Sequence, residues 1–226
     1  MGDDGPRSDD AATAAERGAI GRREHAPGLD GPGVGYVVPM QALRRHNRFT
    51  LDAYLEFELH HQERFEYVDG EILAMAGASP EHNIVAGNTF AALHARLRGR
   101  CRSMGSDQRV ATGDGLYTYP DAVVVCGTMQ VHRYKGTATL LNPTLLLEVL
   151  SPSTRDYDLG EKLDRYQTIP TLQHVLLIEA EGVDVRHVHR TPEGWVTQQF
   201  QSLEDRIDLL GVTLPLVDIY VDVAGP

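Results

Sequence analysis

Aromatic side chains are scarce in this chain, at 7% of 226 residues with a single tryptophan. That disfavours a carbohydrate cleft built on aromatic platforms, even where paired carboxylates are present. Cysteine is limited to Cys101 and Cys126, neither in a C-x-x-C pair nor in a Cys/His cluster with zinc spacing. The expectation is therefore two small hydrophobes in a reducing cytoplasm. No apolar run reaches the roughly 18 residues that a membrane-spanning helix needs. The polar, acidic N-terminus has no apolar stretch of the kind a secretory signal carries.

Positive charge is short too: 21 Lys and Arg stand against 32 Asp and Glu, a net charge of −11. Residues 1–40 account for −3 of it, with four Arg and seven acids, so residues 41–226 carry −8. This argues against avid, non-specific nucleic-acid binding, and any such surface must be local. The candidates are Arg96, Arg98, Arg100 and Arg102 near a helix end, and Arg133 with Lys135 in a later loop.

The apolar fraction, 42%, is that of an ordinary globular protein. Residues 1–40, with stretches such as APGLDGPGVG, lack the periodicity to build a core and are expected to form a disordered or loosely attached extension. Residues 41–226 are expected to form one domain. Thr50 is a plausible N-cap for a helix through LDAYLEFELHH. Asp69-Gly70 is a strong two-residue turn signal between FEYV and EILA. Ser79-Pro80 opens a long amphipathic helix to about Arg98. Strands are expected at Arg102 to Ala111, Tyr117 to Cys126 and Thr144 to Leu150, with a polar loop from Gly127 to Asn142. A short helix from Asp158 to Ile169 follows, then the strands LQHVLLIEA, VDVRHVHR and GWVTQQF. The closing segment LPLVDIYVDV reads equally as a strand or a helix. The fold class expected is α/β or α+β, a mixed central sheet flanked by helices. The near-continuous apolar runs VVVC and LLLEVL mark strands covered on both faces.

The chemistry is concentrated around one lysine. At about 100° per residue, Leu159, Leu163, Tyr166 and Ile169 share an apolar arc, and Lys162 falls inside it. An ammonium on a core-facing side needs a negative partner. Glu148, alternating with Leu146 and Leu150 in its strand, is one candidate, and Asp121, at the head of DAVVV, is a second. Two carboxylates with the Val149 carbonyl suit Mg²⁺ or Mn²⁺, with Lys162 to orient a water or stabilise charge on phosphorus. Tyr166 reads as core and Asp158 as a helix cap. His174, His187 and His189 show no convincing ligand spacing.

The stretch LLEVLSPSTRDYDLGEKLDRYQ, Leu146 to Gln167, resembles the signature of the Uma-type restriction-endonuclease family. The FEYVDGEI segment from Phe65, the SPEHN helix start from Ser79 and Pro120-Asp121 fit the same pattern, from about residue 50 onward. The resemblance implies the PD-(D/E)xK nuclease fold, with Asp121 as the motif aspartate and Glu148 as the (D/E). The usual lysine position is occupied by Leu150, so the resemblance implies that Lys162 supplies the amine from the next helix. It also implies accessory roles for Glu66 and His82, a Mg²⁺-dependent endonuclease acting on nucleic acid, with DNA the expected substrate, and a homodimer. The alternative is a nuclease-fold binding or regulatory protein with little catalysis, which the acidic charge favours.

Overall fold

The computed structural model describes residues 48–223, so the extension expected at residues 1–40 lies outside the described residues. Helix α1 (Leu51–Leu59) starts where Thr50 accepts a hydrogen bond from the Ala53 N–H, and it buries Tyr54 and Leu55. Strands β1 (Phe65–Val68) and β2 (Glu71–Ala74) form the expected hairpin. Asp69 and Gly70 both have positive φ, 50° and 91°, as a type I′ turn requires. Helix α2 (Pro80–Leu97) is capped by Ser79, whose hydroxyl accepts from the His82 N–H, and proline sits in its first turn.

The next stretch departs from expectation. The two long strands break into β3 (Cys101–Gly105), β4 (Val110–Ala111), β5 (Tyr117–Thr118) and β6 (Ala122–Cys126). The chain leaves one sheet after β3, visits a second sheet for β4 and β5, and returns for β6. The presumed loop from Gly127 to Asn142 contains a hairpin, β7 (Val131–Tyr134) and β8 (Thr137–Leu140), turning on Lys135 and Gly136. Lys135 takes φ 42° there, a conformation its sequence does not advertise.

Strand β9 (Leu145–Leu150) follows, with every residue buried. The expected Lys162 helix is two pieces, α3 (Arg155–Leu159) and α4 (Glu161–Gln167), broken at Gly160. Strands β10 (His174–Glu179), β11 (Val185–Thr191) and β12 (Gly194–Phe200) lie close to the predicted segments. The C-terminal region adds a hairpin, β13 (Arg206–Leu209) with β14 (Val212–Pro215), and then a short helix, α5 (Leu216–Ile219).

The result is α+β with two six-stranded mixed sheets, ordered β2-β1-β5-β4-β8-β7 and β12-β11-β10-β9-β6-β3. Alternation along β9 divides the hydrophobic interior. Leu145, Leu147 and Val149 pack in one core with residues of α2, the β13–β14 hairpin and α5. Leu146 and Leu150 pack in a second, which joins Val110 and Leu140 of the other sheet to Tyr166 and Ile169. Glu148 interrupts that second face, so the fold carries a carboxylate into the region between sheets and α4.

The cysteines differ from expectation. Cys101 lies directly opposite Cys126 in the antiparallel β3–β6 ladder, and the two are disulfide-bonded with Cα atoms 4.2 Å apart. They are not free thiols, and the cysteine argument for a reducing cytoplasm is withdrawn. Their separation of 25 residues conceals a contact that only strand pairing creates. Among the described residues no helix is long and apolar enough to cross a membrane.

Candidate active site

Glu148, 5% exposed, occupies a strand whose other five residues are apolar and buried. Ala122 pairs with Leu147, so Asp121, one residue earlier, continues the antiparallel ladder beside Glu148. The Asp121 Oδ2 accepts the Val149 N–H at 2.7 Å, which fixes that carboxylate against β9. From the other side, α4 delivers Lys162, 4% exposed. Its Nζ lies 3.0 Å from Glu66 Oε1, 3.0 Å from Glu148 Oε1 and 3.2 Å from Asp158 Oδ1.

Three acids therefore surround the amine. Glu66 comes from the hairpin strand β1, of which it is the one buried residue, and it accepts a hydrogen bond from the Thr118 hydroxyl. Asp158 does not cap the Lys162 helix: α4 has Gly160 as its N-cap position, with no side-chain capping bond. It faces Lys162 across the break at Gly160 instead, where a Cβ would stand 3.0 Å from the Asp156 carbonyl oxygen. Tyr166 is buried, as expected of a core residue, yet its hydroxyl donates to Glu148 Oε1. The ring centroids of Tyr157 and Tyr166 lie 5.9 and 6.0 Å from Lys162 Nζ.

Burial pushes the Glu148 carboxyl up, to about 8, against the pull of Lys162. Burial also raises Asp158, with Lys162 and the Thr154 hydroxyl pulling the other way. Desolvation opposes the charge on Lys162, but its carboxylate neighbours hold it well above the ordinary lysine value. The amine therefore stays an ammonium, while burial favours the protonated forms of Glu148 and Asp158.

His82, from the first turn of α2, places Nε2 3.4 Å from Asp121 Oδ2. Burial works against a charged imidazole there, yet Asp121 and the Val149 carbonyl raise its pKa. Its Nδ1 is buried without a partner among the described residues. Glu66, His82, Asp121, Glu148, Val149 and Lys162 all line one cleft of about 510 Å³. The sequence argument missed Asp158 as an acid of this cleft. Its i, i+4 spacing to Lys162 was the available signal.

No three acidic, cysteine or histidine groups converge as a ready-made ion cage among the described residues. The donor set nevertheless suits a hard divalent cation. Asp121 accepts the Val149 N–H on Oδ2 and Glu148 the Tyr166 hydroxyl on Oε1, and no hydrogen bond among the described residues falls on Oδ1 or Oε2. Mg²⁺ characteristically binds through one or two carboxylates and keeps several waters.

The basic candidates lie elsewhere. Arg96 pairs with Asp218, Arg100 donates to the Leu210 carbonyl and Arg102 to the Gly127 carbonyl. Lys135 pairs with Glu56. These residues brace the surface rather than line the cleft.

The three histidines stack on one face of β10 and β11, with His174 Nδ1 2.9 Å from His187 Nε2. The Nδ1 atoms of His187 and His189 are buried without partners among the described residues. Burial pushes His174 down to about 4 and His187 to about 3, and mutual repulsion adds to both. The unfolded chain binds protons near pH 6.5, where the folded chain does not, so stability is present above that pH and is lost as pH falls. The loss expected by pH 4 is on the order of 3 kcal/mol for each of the two histidines. Urea unfolding of wild type and His187→Gln at pH 7 and pH 4.5 checks this, because the variant should lose much of the difference.

The family model described as "Putative restriction endonuclease", Uma2, matches residues 51–217. A Synechocystis protein described as uncharacterized, slr1290, is 33% identical over 170 residues, covering 74% of this chain and 87% of its own. A second uncharacterized Synechocystis protein, sll1609, is 34% identical over 143 residues, covering 62% of this chain and 80% of its own. The crystal structure of a DUF820 protein from Anabaena variabilis, described as a putative nuclease, superposes with a TM-score of 0.65 at 18% identity. It covers 78% of this chain and 99% of that one. At that identity the likeness speaks for the fold. The match to the family model spans well over half of the sequence, and the chain belongs to the Uma2 restriction-endonuclease-like family.

Proposed function

We propose that this protein is a divalent-metal-dependent endonuclease that hydrolyses phosphodiester bonds, with DNA as its substrate and a homodimer as its working form. The observation that supports it most is a buried ammonium ringed by Glu66, Glu148 and Asp158, beside the Asp121–Glu148 pair. Asp121, Glu148 and the Val149 carbonyl would hold Mg²⁺ or Mn²⁺, which polarises a phosphate and lowers the pKa of a bound water. Lys162 donates to a non-bridging phosphate oxygen and stabilises charge as it grows in the transition state. Glu66 and Asp158 fix the amine so that little reorganisation accompanies the reaction. Tyr166 holds Glu148 through Oε1. His82 steadies Asp121 from the wall of the same cleft.

Supercoiled plasmid and a labelled oligonucleotide, incubated with Mg²⁺, Mn²⁺ or EDTA, test the reading. Cleavage should require metal, and Asp121→Asn should lower its rate at least about 100-fold. Undiminished cleavage by Asp121→Asn would remove the mechanism. Metal-independent DNA retention without cleavage would favour the binding protein that the net charge of −11 leaves in contention.

A further inference from the structure

Several tyrosines of this fold use their hydroxyls. Tyr54 donates to the Phe65 carbonyl, Tyr119 to Glu58, Tyr166 to Glu148 and Tyr220 to the Asp184 carbonyl. Tyr157 does not. Its hydroxyl is buried and has no hydrogen-bond partner among the described residues, although its side chain lines the cleft. A buried polar group left without a partner costs about 1–3 kcal/mol. The cost is avoidable, since phenylalanine would give the same ring without the hydroxyl.

The neighbours narrow what the hydroxyl serves. Lys162 Nζ lies 5.9 Å from the Tyr157 ring centroid. Glu66, Glu148 and Asp158, the acids nearest that amine, are already engaged by Lys162, Glu66 by Thr118 and Glu148 by Tyr166 as well. An anion entering the cleft meets Asp121, Glu148, Glu66 and Asp158, all of which repel it when ionised. Arg64, Asn83, Ser106 and Ser151 also line the cleft, but the Tyr157 hydroxyl is a buried neutral donor, on a ring next to the ammonium, that the fold leaves unused.

We propose that the Tyr157 hydroxyl is a substrate contact, donating a hydrogen bond to a non-bridging oxygen of the phosphodiester held beside Lys162. The proposal rests on the nuclease reading and adds a residue to it. Bound substrate supplies the partner that the free protein lacks, so the hydroxyl contributes to binding or rate and not to folding.

Tyr157→Phe separates these roles, because it deletes one oxygen and keeps the ring. Three quantities are measured on the full chain for wild type and variant. They are melting temperature, kcat/KM for a labelled oligonucleotide in Mg²⁺, and binding of that oligonucleotide in Ca²⁺ by fluorescence anisotropy. The expected result is an unchanged or higher melting temperature with kcat/KM lowered about 10- to 100-fold. Cleavage within twofold of wild type overturns the proposal. So does a fall of several degrees in melting temperature, which would assign the hydroxyl to the fold. If wild type binds without cleaving and the variant binds at least fivefold more weakly, the contact stands and the nuclease reading fails. If wild type neither binds nor cleaves, both fail.

Discussion

Lys162→Met is expected to cost the fold about 3–5 kcal/mol near pH 8 and to lower cleavage about 10²- to 10³-fold. Methionine matches the length of the lysine stem and fills its space, so the packing loss is small. What remains is electrostatic. Glu66, Glu148 and Asp158 are 6%, 5% and 5% exposed, and without the ammonium they face one another with no cation between them. Removing one partner of a buried ion pair is far more costly than replacing the whole group, because the orphaned charge stays buried. The sign with pH follows. In the variant Glu148 and Asp158, raised by burial and no longer opposed by Lys162, hold their protons more tightly when folded than when unfolded. The folded state then binds more protons from about pH 4.5 up to the raised values, and stability falls as pH rises through that window. Even with Lys162 present, burial has moved Glu148 to about 8. The variant should therefore be closer to wild type at pH 5 than at pH 8. Urea unfolding at both pH values reads this directly. An equal loss at both, or a loss under about 1 kcal/mol, would mean that the amine does not neutralise these acids. Adding Asp158→Asn to Lys162→Met should recover part of the stability and none of the cleavage.

The legibility of this site in the sequence was uneven, for physical reasons. Lys162 could be found because a charged residue inside an apolar arc violates a simple rule, and it stands out further because Lys135 is the chain's other lysine. The Asp69-Gly70 hairpin and the Ser79-Pro80 helix start were legible because each depends on local backbone chemistry. The hairpins at Lys135-Gly136 and Leu210-Gly211 were not. Lys135 and Leu210 adopt positive φ, 42° and 51°, under the demand of strand pairing rather than by preference. The breaks between β3 and β4 and between β5 and β6 reflect a chain that changes sheets, which no alternation pattern records. The second sheet went unread for that reason, although the mixed α+β character was correct. Glu66 is marked in the sequence by the family resemblance alone, because Thr118 and Lys162, which enclose it, come from distant elements. Asp158 reads as a cap because it stands at the start of the expected helix, whereas the chain breaks at Gly160 and Asp158 pairs with Lys162.

Arg109→Met is expected to destabilise the protein by about 3–5 kcal/mol, and to impair cleavage from outside the cleft. Arg109 is 4% exposed and its guanidinium pairs with the buried Glu58 of α1. It donates to Thr139 Oγ1 at 2.8 Å and Thr137 Oγ1 at 3.2 Å, both on β8. Glu58 in turn accepts from the Tyr119 hydroxyl at 3.0 Å. One ion pair thus ties α1, the start of β4, β8 and the segment after β5. Tyr119 is two residues before Asp121, at the crossing from one sheet to the other. Loosening Tyr119 lets the Asp121 carboxylate drift from its bond with the Val149 N–H, and a shift of about 1 Å in a catalytic group can cost about 100-fold in rate. The single variant leaves Glu58 buried without its cation, whereas Arg109→Met with Glu58→Leu removes both charges and should regain most of the stability. Cleavage should recover less completely than stability, since Glu58→Leu takes away the acceptor of the Tyr119 hydroxyl. Parallel measurement of urea midpoints and cleavage rates across the double-mutant cycle decides the matter. Full recovery of both would confine the network to the fold, and no recovery of stability would show that packing, not the ion pair, carries the effect.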